Sequence, residues 1–277
     1  MTTYNVRELQ MKLLDILTCI DSICREKHIT YYLAAGTMLG AVRHKGFIPW
    51  DDDVDIAMPR KDYNLLVAHC TEWLPKPYAL LCAENNPDFP SDFGKIVNTD
   101  TTLIEREHHR YVGGIYIDVF PIDNITSNPF TQKIHFIQYS IYKKLIYLLC
   151  RNPYKHGHGI QCLFPLALQQ LFSVSSVVEK LLMLQKKYSE HATGLVVDHD
   201  FKQKGVMKNN IYGQPKDIFF EGRLFMGVNN PDAYLKQLYG DYLTIPKANN
   251  QKQHQFYYLN YNLPYSKYED KRPFVNK

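Results

Sequence analysis

The sequence has no Cys-x-x-Cys pair among its six cysteines, Cys19, Cys24, Cys70, Cys82, Cys150 and Cys162. A zinc ribbon or a thioredoxin-like redox site needs that spacing, so neither is supported. The cysteines read instead as buried, reduced thiols. It also lacks a strong charge bias. Its 32 basic and 28 acidic residues leave a net charge of +4, too weak to indicate a nucleic-acid partner but compatible with an anionic substrate or membrane surface. The opening residues MTTYNVRELQ contain no basic stretch followed by an apolar one. No secretory signal is read there, and a cytoplasmic location is expected. Internal repeats and low-complexity tracts are missing too.

One segment lacks charge altogether. Between Gly159 and Val178 there is no charged side chain, over about the length a membrane helix requires. Gln161, Gln169, Gln170, Ser173, Ser175, Ser176 and Pro165 interrupt it, and such polar groups are costly in hydrocarbon. The expectation is a buried helix, with a membrane-surface helix as the second reading.

What is present fits a folded protein. The chain has 277 residues, 45% of them hydrophobic and 22% charged, enough for one elaborated domain with a sizeable core. Val6, Leu9, Leu13, Ile16, Leu17, Ile20 and Ile23 recur at three- and four-residue steps and predict a helix over 5–27. A strand at 31–34, a short helix at 38–44, a strand at 53–58 and a helix at 60–70 follow. Further strands are expected at 78–82, 95–98, 103–105 and 115–120, then long helices at 130–150 and 160–190, then a tail of loops and short elements. That order is α+β or α/β with a helical C-terminal half. The parts are taken as an N-terminal helix (1–28), a catalytic core (29–125) and a C-terminal region packing on it (126–277).

The chemistry concentrates at Asp51, Asp52, Asp53 and Asp55, four carboxylates in five residues. They repel one another unless something positive arrives. The cluster runs straight into the apolar strand Val54, Ile56 and Met58. Strand alternation puts Asp51, Asp53 and Asp55 on one face and turns Asp52 away. Converging carboxylates suit Mg²⁺ or Mn²⁺. An EF-hand is rejected, because no glycine marks its turn and Asp62 stands where its closing glutamate belongs. A third carboxylate is offered by Asp118 on its own strand. Asp123 is the alternative, but it follows Pro121 and reads as turn chemistry. Three such groups from two strands make a phosphoryl-transfer site. Upstream, Gly36-Thr37 lies just after a strand and before the 38–44 helix, a small-residue turn that offers backbone N–H groups to a phosphate. Arg43, His44 and Lys45 lie between the two motifs, and Trp50 borders the cluster.

The run Ala35-Gly36-Thr37-Met38-Leu39-Gly40-Ala41-Val42-Arg43-His44-Lys45-Gly46-Phe47-Ile48-Pro49-Trp50-Asp51-Asp52-Asp53-Val54-Asp55 strongly resembles the LicD family. That family includes bacterial phosphocholine transferases, and it is related to fukutin and the fukutin-related protein. Gly114–Pro121 resembles its second aspartate strand. Phe220-Glu221-Gly222, Leu238-Tyr239-Gly240-Asp241-Tyr242 and Pro246 resemble its C-terminal signature. The resemblance implies a nucleotidyltransferase-like α+β fold, with a mixed sheet flanked by helices. It implies Asp53, Asp55 and Asp118 as metal-binding and catalytic residues, holding Mg²⁺ (or Mn²⁺). Gly36, Thr37, Arg43, His44, Trp50, Asp51 and Lys95 become substrate-binding candidates, with Lys95 as a phosphate contact. Some members carry a zinc-binding insertion, but no Cys/His group here has that spacing, so no structural zinc is expected. His108, His109, His156 and His158 read as surface loop residues.

The implied reaction moves an alcohol phosphate, phosphocholine first, from a CDP-linked donor to a hydroxyl of a glycan or glycolipid such as a teichoic acid or lipopolysaccharide precursor. Nucleic acid is not an expected partner, and a peripheral contact with the inner face of the membrane is. Two alternatives stand beside it: true nucleotidyl transfer from an NTP, and an inactive glycan- or membrane-binding module. Tyr257, Tyr258, Tyr261, Tyr265 and Tyr268 gather near the end, and packing of the tail is the favoured reading over a sugar-stacking platform.

Overall fold

A computed structural model of the chain describes residues 4–87, 89–108, 111–155 and 157–272. His109 and His156 lie outside the described residues. The chain opens with helix α1 (Val6–Lys27). Asn5 caps it by accepting from the N–H groups of Arg7 and Glu8, and His28 closes it in the left-handed conformation. The apolar stripe read from the sequence is its buried face: Leu9, Leu13, Ile16, Leu17 and Ile20 are all buried. Then come β1 (Tyr32–Leu33), α2 (Ala35–His44), β2 (Asp55–Pro59), α3 (Arg60–Trp73), β3 (Tyr78–Leu81), β4 (Gly94–Asn98), β5 (Thr102–Ile104) and β6 (Tyr116–Asn124). The second half holds α4 (Pro129–Cys150), α5 (Leu163–Leu171), α6 (Val174–Gln185), β7 (Leu195–Asp198), β8 (Val206–Lys208), α7 (Asn209–Tyr212), β9 (Lys216–Phe220), β10 (Arg223–Gly227), α8 (Pro231–Tyr239) and β11 (Tyr258–Asn260).

Seven strands form one mixed sheet. Its path is β1-β2-β6-β4-β3, with β7 joining the far end of β6 and β8 pairing β7. Only β2 and β6 run parallel; the other pairs are antiparallel. Helices α1 and α3 pack on this sheet and share its main core with Met38, Ile56, Met58, Ile117 and Val119. A second core holds α4, α5 and α6 together through Tyr139, Leu149, Leu168, Val178 and Leu181. This is the expected α+β arrangement. The C-terminal half is helical between 129 and 185, and beyond that it returns two strands to the sheet.

Two local expectations are corrected. Asp123 is not turn chemistry. Strand β6 continues through Pro121 because the proline falls where its neighbour on one side changes. β4 pairs as far as Val119, β7 begins at Ile122, and Asp118 N–H donates to Val54 on the β2 side. Alternation therefore turns the Pro121 nitrogen toward the gap, where no ladder bond is lost. Asp123 is left fully buried, and Arg60 Nε and Nη2 donate to it at 2.7 and 2.6 Å. Nor do residues 159–178 form one buried helix. The chain breaks at Phe172, Ser173 caps α6 through Ser176 N–H, and the two helical pieces meet at 78°. Pro165 and Leu168 are buried in α5, while Leu163, Phe164 and Leu171 are exposed. Among the described residues no single helix is long and apolar enough to cross a membrane.

Candidate active site

The sheet register assembles the site. Asp55 lies opposite Asp118 across the parallel β2–β6 pair, and Lys95 lies opposite Asp118 across β4–β6. One row of the sheet therefore reads Asp55, Asp118, Lys95. Lys95 Nζ donates to Asp118 Oδ1 at 2.8 Å and stands 3.3 Å from Glu105 Oε1. It also lies over the Tyr116 ring, whose hydroxyl donates to Glu105 at 2.7 Å. Glu105 escaped the sequence reading; it ends no motif, and only the fold carries it from the β5 end to this row. The structure places Lys95 on the carboxylates, as a buried counter-charge to Asp118.

Helix α2 supplies the next wall. It begins at Ala35, not at Met38, so Gly36 and Thr37 occupy its first turn. Ala35 has φ of 45°, a left-handed conformation that L-residues disfavour, and its N–H donates to Tyr234 Oη at 3.0 Å. Thr37 Oγ1 accepts from Asp55 N–H at 2.9 Å, pinning the helix start to β2. A Cβ on Gly36 would sit 2.9 Å from Asp51 Oδ2. Without a Cβ at this position the carboxylate lies directly against the helix start, where first-turn N–H groups have no intrahelical acceptor. Asp51 is thus brought to Gly36, as a group that shares this end of the helix with whatever anion binds it.

Asp52 does turn away from this face. It is buried, accepts from the hydroxyl of Tyr4, and takes both the backbone N–H (2.8 Å) and Nδ1–H (2.7 Å) of His254. It fastens the N- and C-terminal segments to the cluster. His254 Nδ1 also stands 3.9 Å from Asp53 Oδ2, a second cation the sequence reading missed. It lies some 200 positions downstream in a tail without a motif.

The other candidates are dispersed. Arg43 is at the opposite end of α2, where Nη1 donates to the carbonyls of Tyr242 (2.9 Å) and Thr244 (3.4 Å). The His44 ring packs edge-on to Trp50, 6.4 Å between centroids. Arg43 thus ties the C-terminal signature segment to the end of α2. Tyr239, from that segment, has its hydroxyl pushed upward by burial and by Asp55, Asp51 and Asp53. Glu221 acts from the outside of the loop. It accepts from Phe47 N–H at 3.0 Å and pairs with Arg7 at 2.6 Å, and Gly46 leaves it room. His108 and His158 stand outside the row, against the rings of Tyr147 and Tyr154.

The electrostatics are those of a crowded acidic site. Burial, then the charge of Asp53, pushes Asp51 up to about 8. Burial and the charges of Asp53, Asp118 and Asp51 hold Asp55 well above the carboxylate range. Burial raises Asp118 to about 6 against the lowering effect of Lys95, and burial raises Asp53 against His254. His254 is itself lifted to about 9, chiefly by its hydrogen bond to Asp52. Two cations do not balance these carboxylates.

That surplus is the observation against which a metal is tested. Oxygen donors in excess of positive charge fit a hard divalent cation. Among the described residues, however, no three His, Cys, Asp or Glu side chains stand grouped tightly enough to enclose an ion. The donor set fits in charge and atom type, and its side chains would have to turn inward to close on it. Beside Lys95 and Glu105 a cavity of about 330 Å³ opens, lined by Phe93, Tyr111, Tyr147, Arg106 and Lys143. Its aromatic faces and cations suit a flat, anionic ligand.

Residues 28–151 match the family described as LicD/FKTN/FKRP, nucleotidyltransferase domain. Most of the chain is similar to a Haemophilus influenzae protein named lipopolysaccharide cholinephosphotransferase LicD. The two are 29% identical over 266 residues, which covers 92% of this chain and 97% of that one. Shorter similarities reach uncharacterized proteins of Rickettsia typhi (37% identical over 60 residues, 21% of this chain and 19% of the relative) and Rickettsia prowazekii (38% over 52 residues, 19% and 20%). The mixed sheet flanked by helices is the α+β, nucleotidyltransferase-like fold that this match implies.

Proposed function

We propose, from the premise that this chain belongs to the LicD family through residues 28–151, that it transfers phosphocholine from a CDP-linked donor to a hydroxyl of a cell-surface glycan precursor. A lipopolysaccharide precursor is the first choice, because the relative that matches along nearly its whole length is named for that acceptor; teichoic acid is the second. The observation that carries the proposal is the row Asp55, Asp118 and Lys95, with Asp53 two residues ahead and the start of α2 beside it.

In this reading Asp53, Asp55 and Asp118 would hold Mg²⁺ or Mn²⁺, which when bound supplies positive charge to the phosphate oxygens. The chain's own groups do the rest. The first turn of α2 at Gly36 and Thr37 faces the donor phosphates, and the Asp51 carboxylate sits against that turn, 2.9 Å from where a Cβ on Gly36 would stand. The cavity with Tyr111, Arg106 and Lys143 receives the nucleotide. Asp118 is the base. Its carboxylate, held by Lys95 in the row with Asp55, is placed to take the acceptor's proton as that oxygen attacks the distal phosphorus. Lys95 holds Asp118 in place and limits its rise. The oxygen–phosphorus bond forms in line as the bond to CMP breaks, and CMP carries away the negative charge.

The test is a donor screen. Purified protein with Mg²⁺ and a lipopolysaccharide acceptor is offered CDP-choline, CDP-ethanolamine, CDP-ribitol and CDP-glycerol, and CMP is measured. CMP release with CDP-choline is expected. Absence of release with every donor sinks the reading, and pyrophosphate release from an NTP would reverse it in favour of nucleotidyl transfer.

A further inference from the structure

One side of α4 is a stripe of exposed apolar residues. Phe130, Ile134, Ile137 and Ile141 are 72, 43, 52 and 53% exposed, and they recur at the three- and four-residue steps that stack side chains along one helix face. Such a stripe normally faces a core. Here it borders an open groove of about 960 Å³, walled by Phe136, Leu145 and Leu148 and by Phe164 of α5. Ile160, Leu163, Phe164 and Leu171 extend the apolar surface, at 86, 59, 63 and 74% exposure. A contiguous face of this kind is unusual on a monomer and marks an interaction site.

Its charge says what covers it. Lys133, Lys144 and Lys202 line the groove, and no acidic residue does. None of the three is in an ion pair with a carboxylate among the described residues. Apolar side chains that enter an acyl layer, with lysines at their margin and no acid to oppose them, are complementary to an anionic lipid surface. The uncharged helix α5 completes the face: it is too short to span a bilayer, at nine residues, but suited to lie in its interface. The same α4 that offers Lys144 to the groove offers the preceding Lys143 to the cavity beside Lys95 and Glu105. A membrane on one side of this helix therefore lies next to the proposed reaction site on the other.

We infer that the α4–α5 face docks this protein on an anionic membrane surface. The inference goes beyond the transfer reaction and does not rest on it, since binding is read without turnover. The full chain is mixed with phosphatidylcholine vesicles, with and without phosphatidylglycerol, and pelleted. Strong binding to the anionic vesicles and weak binding to the neutral ones is expected. Lys133→Gln with Lys144→Gln should weaken anionic binding roughly 30-fold. Ile137→Glu with Ile141→Glu should abolish it. Both pairs sit on exposed positions, and unchanged thermal unfolding verifies the fold. Equal, weak sedimentation with both vesicle types overturns the inference, as does wild-type binding by either folded double variant. So does a stable dimer that Ile137→Glu with Ile141→Glu converts to monomer, because a second copy would then be the occupant.

Discussion

At the scale of single residues, the site stores unfavourable charge. Asp55 sits among Asp51, Asp53 and Asp118 with burial against all of them. Asp55→Asn removes a repelled charge while keeping the shape. It is expected to raise the melting temperature in the presence of a chelator and to cut CMP release at least about a hundredfold. Unchanged activity would remove Asp55 from the chemistry. Asp51 gives a pH test. Its folded carboxyl lies near 8, above the ordinary value near 3.8, so between those values the folded state binds the proton and the unfolded chain does not. Folding therefore takes up a proton in that window, and stability falls as pH rises, by up to about 1.4 kcal/mol per pH unit, until the penalty levels off above 8. In chelator, Asp51→Asn should match the wild type near pH 4 and exceed it increasingly toward pH 8. Parallel melting curves for the two proteins across that range would refute the assignment. Single residues were legible where they fell in a motif. The juxtaposition of Asp55 and Asp118 followed from their strands, whereas Asp53 precedes β2 and is not placed by its alternation. Glu105, His254 and Tyr4 were not legible, because nothing local marks a residue that reaches the site only through the fold.

At the scale of elements, two neighbouring aspartates of β6 separate by role. Asp118 faces the site; Asp123, five residues on, neutralises Arg60 in the interior. Asp123→Ala leaves a buried guanidinium with the Glu84 carboxylate at 4.0 Å and the Gln185 amide oxygen at 3.4 Å, and should cost about 3 kcal/mol in urea unfolding. Asp118→Asn should leave stability largely intact and remove activity. If Asp123→Ala lost activity without losing stability, the roles would be exchanged. The sequence misled here for a physical reason: a proline in a strand usually ends it, and only the change of partner from β4 to β7 lets β6 pass. The loop after α2 offers another check. A Cβ on Gly46 would lie 2.3 Å from Glu221 Oε1, and Glu221 is held by Arg7 and Phe47. Gly46→Ala should therefore cost roughly 1–3 kcal/mol, and adding Glu221→Ala should recover part of it. An additive double variant would argue that the clash is elsewhere. The motif Phe220-Glu221-Gly222, recognisable as a signature, thus reads in the structure as a brace for the loop leading to Asp51.

At the scale of the whole molecule, the first 125 residues follow the sequence reading closely, because α1 carries an apolar stripe along its length and β2 and β4 are short apolar runs buried on both faces. The second half does so less well. β7 and β8 are four and three residues long, too short for alternation to show, and they are strands because β6 offers an edge. The uncharged 159–178 stretch looked like one buried helix since composition reports apolarity and not exposure. The proposed chemistry sits on the row where β2, β6 and β4 meet. Its most direct test is CMP release from CDP-choline with a lipopolysaccharide acceptor and Mg²⁺, comparing wild type with Asp118→Asn and Asp55→Asn proteins of verified fold. Release by the wild type that falls at least about a hundredfold in each variant is the predicted result. Release at the wild-type rate by either variant would contradict it.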